Sequence, residues 1–180
     1  MSAAVVERDS LAEEATPTGG RAIAIWAITV LFGLAIIGLI IGAPLAQASG
    51  HPAFAATIYK AFSFVCHQIP ERSFHLAGHQ FGVCSRCTGL YAGFAAAALG
   101  YPLIRSLKTA DTPPRLWLIL AAAPLAIDFA LGYFSIWRNN QLSRFTTGAL
   151  LGAVAVFYIM PGLVELSSTA IRRLKRNVNP

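Results

Sequence analysis

Polar and apolar positions along this chain separate into long uncharged runs, not into the strict alternation of a half-buried strand. Ala22–Ala46, Cys87–Ile104 and Phe145–Val164 carry no charge, and Leu116–Trp137 carries only Asp128. A helix needs about 20 apolar residues to cross a bilayer core. In hydrocarbon every backbone polar group must be paired within the protein, which leaves helices or closed barrels. The alternating segments of a barrel are absent. The pattern therefore predicts an all-α integral membrane bundle of four transmembrane helices. A second kind of segment precedes the second span. Phe54, Ile58, Ala61, Phe62 and Val65 follow helical spacing, Pro52 suits a helix start, and Lys60, Tyr59 and Phe64 suit a head-group boundary. This predicts a short interfacial helix, with an ordinary amphipathic helix packed under the loop as the alternative.

Composition agrees. The 180 residues are 56% hydrophobic and 12% charged, against about 25% charged in an ordinary soluble domain. That excludes a soluble globule, and the hydrophobicity excludes a disordered chain. The net charge of +6 does not imply a nucleic-acid partner, because most basic residues punctuate the uncharged runs instead of forming a patch. The partner implied is the lipid bilayer.

The distribution of Lys and Arg sets the expected orientation. Arg8 and Arg21 precede the first span. Arg105, Lys108 and Arg115 lie in the second loop, and Arg172, Arg173, Lys175 and Arg176 in the C-tail. These outnumber Lys60, Arg72 and Arg86 of the first loop with Arg138 and Arg144 of the third. Both termini are thus expected in the cytoplasm of a cell-membrane protein, with the first loop extracytoplasmic. The first span is expected to be retained, although Ala46-Gln47-Ala48 resembles a cleavage site, because its apolar run exceeds a secretory core and acidic residues precede it. Residues 1–20 read as a disordered tail, 21–166 as the membrane domain with a Cys/His loop over 66–87, and 167–180 as a basic tail. That tail fixes topology, with contact to anionic lipid head groups as a second role.

Gly89-x-x-x-Gly93 and Gly148-x-x-x-Gly152 put small residues on one face of the second and fourth spans. They predict close helix packing, within the bundle or across a homodimer. Pro102, Pro124 and Pro161 are candidate kinks or ends.

Candidate chemistry is concentrated in residues 66–93, which hold all three cysteines and three of the four histidines. Cys84-x-x-Cys87 can chelate one metal, and Cys66 with a histidine would complete a Cys₃His zinc shell. His67 is adjacent to Cys66. His75 and His79 are alternatives, on one face if their stretch is helical. An odd cysteine count in an oxidising compartment leaves one thiol over after a single disulfide, whereas a metal uses all three. A thiol beside a C-x-x-C pair also suits thiol–disulfide exchange, with Arg72, Arg86 or a protonated histidine favouring the thiolate. Inert structural cysteines are the third possibility.

The text C-H-Q-x-P-E-R-S-F…Q-F-x-V-C-x-R-C-x-G-x-Y-x-G resembles the signature of domain-of-unknown-function family 2085, small prokaryotic membrane proteins without an assigned activity. The matching positions are Cys66, His67, Gln68, Pro70, Glu71, Arg72, Ser73, Phe74, Gln80, Cys84, Arg86, Cys87, Gly89, Tyr91 and Gly93. Arg144-Phe-Thr-Thr-Gly148 is similar to the R-x-x-T-G that opens the family's last helix. The resemblance implies several membrane helices, and it favours His67 over His75 and His79 as a ligand. Asn139-Asn140-Gln141 departs from the family's Ser/Thr/Asn run.

Asp128 is expected to face the bundle interior with a partner, because a charge in lipid costs about 3 kcal/mol or more. Arg86 and Arg144 are candidate partners, Tyr91 and Thr147 candidate donors. Arg72, Arg86, Arg138 and Arg144 would line one outward basic surface able to take a phosphate head group or other anion. The leading expectation is a membrane protein with an extracytoplasmic zinc site at Cys66, His67, Cys84 and Cys87, either structural or hydrolytic. Glu71 is then the nearest acid–base candidate, with Arg72, Asp128 and Arg144 the other candidate catalytic residues. The absence of H-E-x-x-H argues against the common metalloprotease design. A membrane thiol–disulfide oxidoreductase using Cys84 and Cys87 with Cys66, linked to a quinone, is the alternative. It rests on analogy to four-helix enzymes that use two cysteine pairs. A non-enzymatic carrier or assembly subunit is the third expectation.

Overall fold

A computed structural model of the chain describes residues 19–178, with side chains through residue 170. The expected disordered tail, apart from its last residues, and the basic side chains of the C-tail lie outside the described residues. Five α-helices follow in order: α1 Gly19–Ala48, α2 Pro52–Ser63, α3 Ser85–Ile104, α4 Arg115–Tyr133 and α5 Gln141–Val178. Between α2 and α3 lie a 3₁₀ turn, Pro70–Arg72, and a two-stranded hairpin of β1 His75–Leu76 and β2 His79–Gln80. Helices α1, α3, α4 and the Gln141–Ala170 part of α5 are long and apolar enough to cross a membrane. Large side chains such as Ile28, Leu31, Phe32, Leu116 and Ile119 are exposed on them. A bilayer is the solvent that suits such a surface.

Helix ends follow local chemistry. Gly50, at φ +79°, ends α1: His51 N–H donates to the Ala46 carbonyl and Gly50 N–H to that of Gln47. This is the left-handed C-terminal motif in which glycine avoids a Cβ clash. Ser135, at φ +56°, closes α4 by the same bonds, Ile136 N–H to Leu131 O and Ser135 N–H to Gly132 O. The third span therefore stops at Tyr133, short of the expected Trp137, and Asp128 sits in its last two turns, away from the middle. The α5 helix begins at Gln141, earlier than the expected Phe145.

Helices α3 and α5 form the central pair, with α1 on α3 and α4 on α5. Their approach depends on the glycines. A Cβ at Gly89 or Gly93 would lie 2.0 Å from the carbonyl oxygen of Phe145 or Ala149. One at Gly148 or Gly152 would lie 2.2 or 2.0 Å from that of Arg86 or Leu90. The two G-x-x-x-G faces thus interlock with each other inside one chain, and a homodimer through those faces would have to separate them.

Two buried clusters result. Val30, Ala98, Tyr101, Val156 and Met160 pack one part of the bundle. Ile40, Ala43, Ile58, Phe62, Cys66 and Val83 pack the other, beneath the cysteine loop. The short helix α2 contributes Ala55, Ile58 and Phe62 to burial and leaves Phe54, with Phe64 just beyond it, exposed. It is the predicted short amphipathic helix, with its buried side lying on α1.

Candidate metal centre

The cysteine loop is tied down before any ligand is placed. A proline has no N–H, so Pro44 cannot bond the Ile40 carbonyl one turn earlier in α1. Gly82 N–H takes that carbonyl instead, at 3.0 Å. Glycine eases the approach, because a Cβ at Gly82 would meet Phe62 at 3.2 Å and Ile40 at 3.3 Å and push them apart by a few tenths of an ångström. Gln68 joins the two arms of the loop: its side-chain amide donates to the Tyr59 carbonyl at 2.7 Å and to that of Gly82 at 2.8 Å. Tyr59 Oη donates to the Gln80 carbonyl at 2.6 Å. Gly78 and Ala77, both at positive φ, make the tight turn between β1 and β2.

Cys66 follows α2 and is buried. Its Sγ accepts two backbone N–H groups, Cys84 at 3.2 Å and Gln68 at 3.4 Å. Cys84 occupies the position just before the first turn of α3, and Cys87 lies one turn on. The three sulfurs lie within 4.8 Å of one another, and all three cysteines are free. Cys84 lies below the ordinary thiol range, because hydrogen bonds from the Cys66 and then the Cys87 side chains favour its thiolate over the opposing effect of burial. Such a donor set fits a borderline-soft ion such as zinc.

The other candidates divide. Among the described residues no histidine or carboxylate joins the sulfur cluster. His67 is exposed beside buried Cys66. His75 and His79 lie on opposite strands of the hairpin, not on one helical face, since Gly78 turns the chain between them. Glu71 is exposed on the 3₁₀ turn.

The predicted partner of Asp128 is Arg86, through Nη2, in the only ion pair among the described residues. The Arg86 guanidinium also lies over Phe129, 5.7 Å from the ring centre. The structure adds Asn139 to this pair. Its Nδ2 donates to the Asp128 carbonyl at 2.9 Å and to Asp128 Oδ2 at 3.1 Å. Its Oδ1 accepts Arg144 Nε at 3.1 Å and Nη2 at 2.6 Å. Gly132 leaves the room: a Cβ there would be 2.8 Å from Asn139 Nδ2. Thr147 instead bonds the carbonyls of Ser143 and Arg144, and Tyr91 lies against Phe62.

Pro44, Gly82, Gln68 and Asn139 carry positions that composition and spacing did not assign. The signal for Pro44 was present, a proline inside a span with an acceptor orphaned four residues earlier, but the donor that uses it lies in another segment.

The family described as a predicted membrane protein, DUF2085, matches residues 66–158. An uncharacterized protein of Methanocaldococcus jannaschii is 37% identical over 109 residues, covering 61% of this chain and 70% of that protein. An uncharacterized protein of Methanothermobacter thermautotrophicus is 40% identical over 91 residues, covering 51% of this chain and 80% of that one. No solved structure matches.

Proposed function

The chain belongs to the DUF2085 family of predicted membrane proteins, and on that footing we propose that it holds a zinc ion on Cys66, Cys84 and Cys87 at one end of its bundle. The observation that carries this reading is the meeting of three sulfurs from two separate segments within 4.8 Å. Zinc binds thiolate sulfur at about 2.3 Å, which puts tetrahedral sulfurs about 3.8 Å apart. A lone disulfide would give no reason for the third sulfur to converge. The N–H groups of Gln68 and Cys84 on Cys66 Sγ supply the outer donors that hold a metal thiolate in place.

His67, adjacent to Cys66, would supply the fourth ligand in a closed, structural shell, and water would take that position in an open, hydrolytic one. A bound zinc ion supplies a fold staple in the first case and a Lewis acid in the second. The protein's own contribution is to orient the sulfurs through Gln68, Gly82 and the first turn of α3. By the distribution of Lys and Arg this end of the bundle faces outward and both termini face the cytoplasm.

Cys84 supports a second reading. A thiol favoured as thiolate at a helix N-terminus is suited to attack a partner disulfide. One partner sulfur would leave as thiolate, and Cys87 or Cys66 would then release the other, so the partner gains two electrons and this chain gains a disulfide. A quinol would return two electrons and two protons to this disulfide, restoring the dithiol and leaving as quinone.

Protein purified in detergent without reductant separates the two. Near one zinc per chain, lost in Cys84→Ser and with thiols reactive only after chelation, supports the metal site. No metal and a reducible Cys84–Cys87 bridge supports exchange chemistry. His67→Ala then reads the shell: retention of zinc marks the open form, and loss marks the closed one.

A further inference from the structure

Beside the cysteines the chain gathers three arginines, Arg72, Arg86 and Arg144. Arg86 and Arg144 stand in the first turns of α3 and α5, and Arg72 ends the 3₁₀ turn that precedes α3. The backbone around Arg72 is pinned to both helices: its carbonyl accepts Ser85 Oγ at 2.9 Å, and the next carbonyl, Ser73, accepts Gln141 Nε2 at 3.1 Å. Arg72 and Arg86 lie near enough for their charges to act on Arg144, as do Asp128 and Cys84. Asp128 is committed to Arg86, and Glu71, exposed on the same 3₁₀ turn as Arg72, forms no ion pair among the described residues. Arg144 rests on the neutral Asn139. Arg86 Nε is buried and has no hydrogen-bond partner, and an unmade bond from a buried charged group is costly.

Three guanidiniums gather against two carboxylates, Asp128 and the exposed Glu71, of which only Asp128 is ion-paired among the described residues. The N-termini of α3 and α5 add partial positive charge at the same place. Like charges are brought together at this end of the bundle, with a buried donor left open.

We propose that Arg72, Arg86 and Arg144 form a binding site for a phosphate group at the membrane boundary beside the cysteine cluster. Planar guanidiniums present paired N–H groups that match tetrahedral phosphate oxygens, and several converging on one anion offset their mutual repulsion. The phosphate belongs either to an anionic lipid head group or to a small phosphorylated solute. Arg138 is exposed on the α4–α5 loop and is not among the charges that act on Arg144.

The test uses the full chain in nanodiscs of phosphatidylcholine, titrated with inorganic phosphate at constant ionic strength set by chloride. The site predicts a rise in unfolding midpoint of about 3–5 °C at saturating phosphate. The rise disappears in Arg144→Gln and in Arg72→Gln and persists in Arg138→Gln. Arg72 is exposed and its anchoring bonds are made by its backbone, so Arg72→Gln keeps the fold. In a second arm, nanodiscs of equal phosphatidylglycerol and phosphatidylcholine are analysed by native mass spectrometry. Retention of phosphatidylglycerol several-fold over phosphatidylcholine, lost in Arg72→Gln, identifies the lipid as the source; a phosphate shift without it identifies a solute. Neither a phosphate-specific shift nor lipid retention, or equal effects in Arg138→Gln, overturns the site. Zinc content measured on the same samples reports separately on the cysteine cluster.

Discussion

The Gly82 amide bonds the Ile40 carbonyl at 3.0 Å, and that carbonyl is available because Pro44 cannot reach back to it. The same device recurs in α3, where Pro102 frees the Ala98 carbonyl and Trp26 Nε1 donates to it at 2.8 Å. In a bilayer an orphaned carbonyl must find a partner inside the protein. Each proline therefore creates an acceptor that a specific donor fills, and the first one anchors the arm that carries Cys84.

Pro44→Ala returns an N–H to α1 and sets it in competition with Gly82. The loop anchor weakens by about 1 kcal/mol, so zinc affinity measured against a competing chelator falls several-fold while α1 itself remains helical. Pro124→Ala in α4 is the control and leaves zinc affinity unchanged. An equal loss in both variants would show that the anchor plays no part.

Gly93→Ala forces a methyl group against the Ala149 carbonyl. Neither backbone can move without parting α3 from α5, and the substitution costs about 3 kcal/mol or more. Gly38→Ala, at a glycine with open space around it, is neutral or mildly stabilising by helix propensity. Thermal unfolding in one detergent compares the two, and similar midpoints would contradict the interlocked packing.

Asp128→Asn removes the charge facing Arg86 while keeping its shape. Both side chains are mostly buried, with 20% of Arg86 and 11% of Asp128 exposed, so the loss is about 2–3 kcal/mol, below the figure for a fully buried pair. A double-mutant cycle with Arg86→Gln should give a coupling of about 1 kcal/mol or more. Additive losses would reduce the pair to a coincidence of packing.

The Cys84 thiol predicts a pH signature in chain freed of metal. A depressed thiol stays ionised as pH falls below the ordinary value of about 8.5 and protonates only near its own lowered value. Iodoacetamide should therefore label Cys84 at pH 6, faster than a model thiol. Cys66→Ser weakens the hydrogen bonding that favours this thiolate and should move the labelling to higher pH. Labelling that begins only near pH 8 in the parent chain would refute the assignment.

The four spans, the G-x-x-x-G contact and the Arg86–Asp128 pair were legible from local pattern: runs without charge, small residues four apart, and a lone acid that needs a base. The convergence of Cys66 on Cys84 and Cys87 was legible as chemistry but not as geometry. It depends on Gln68 bridging Tyr59 and Gly82, a tertiary contact with no periodic trace. The hairpin at Ala77–Gly78 hid behind a helical spacing of His75 and His79. Asn139 stood outside any recognised motif, because its role is to face Asp128 and Arg144 at once.

The central claim is that three thiolates share one zinc ion. X-ray absorption at the zinc edge, on protein purified without added metal, tests it most directly. The account predicts near one zinc per chain with three sulfur scatterers at about 2.3 Å and one lighter neighbour. A zinc-free protein, or zinc bound by nitrogen and oxygen alone, would contradict it.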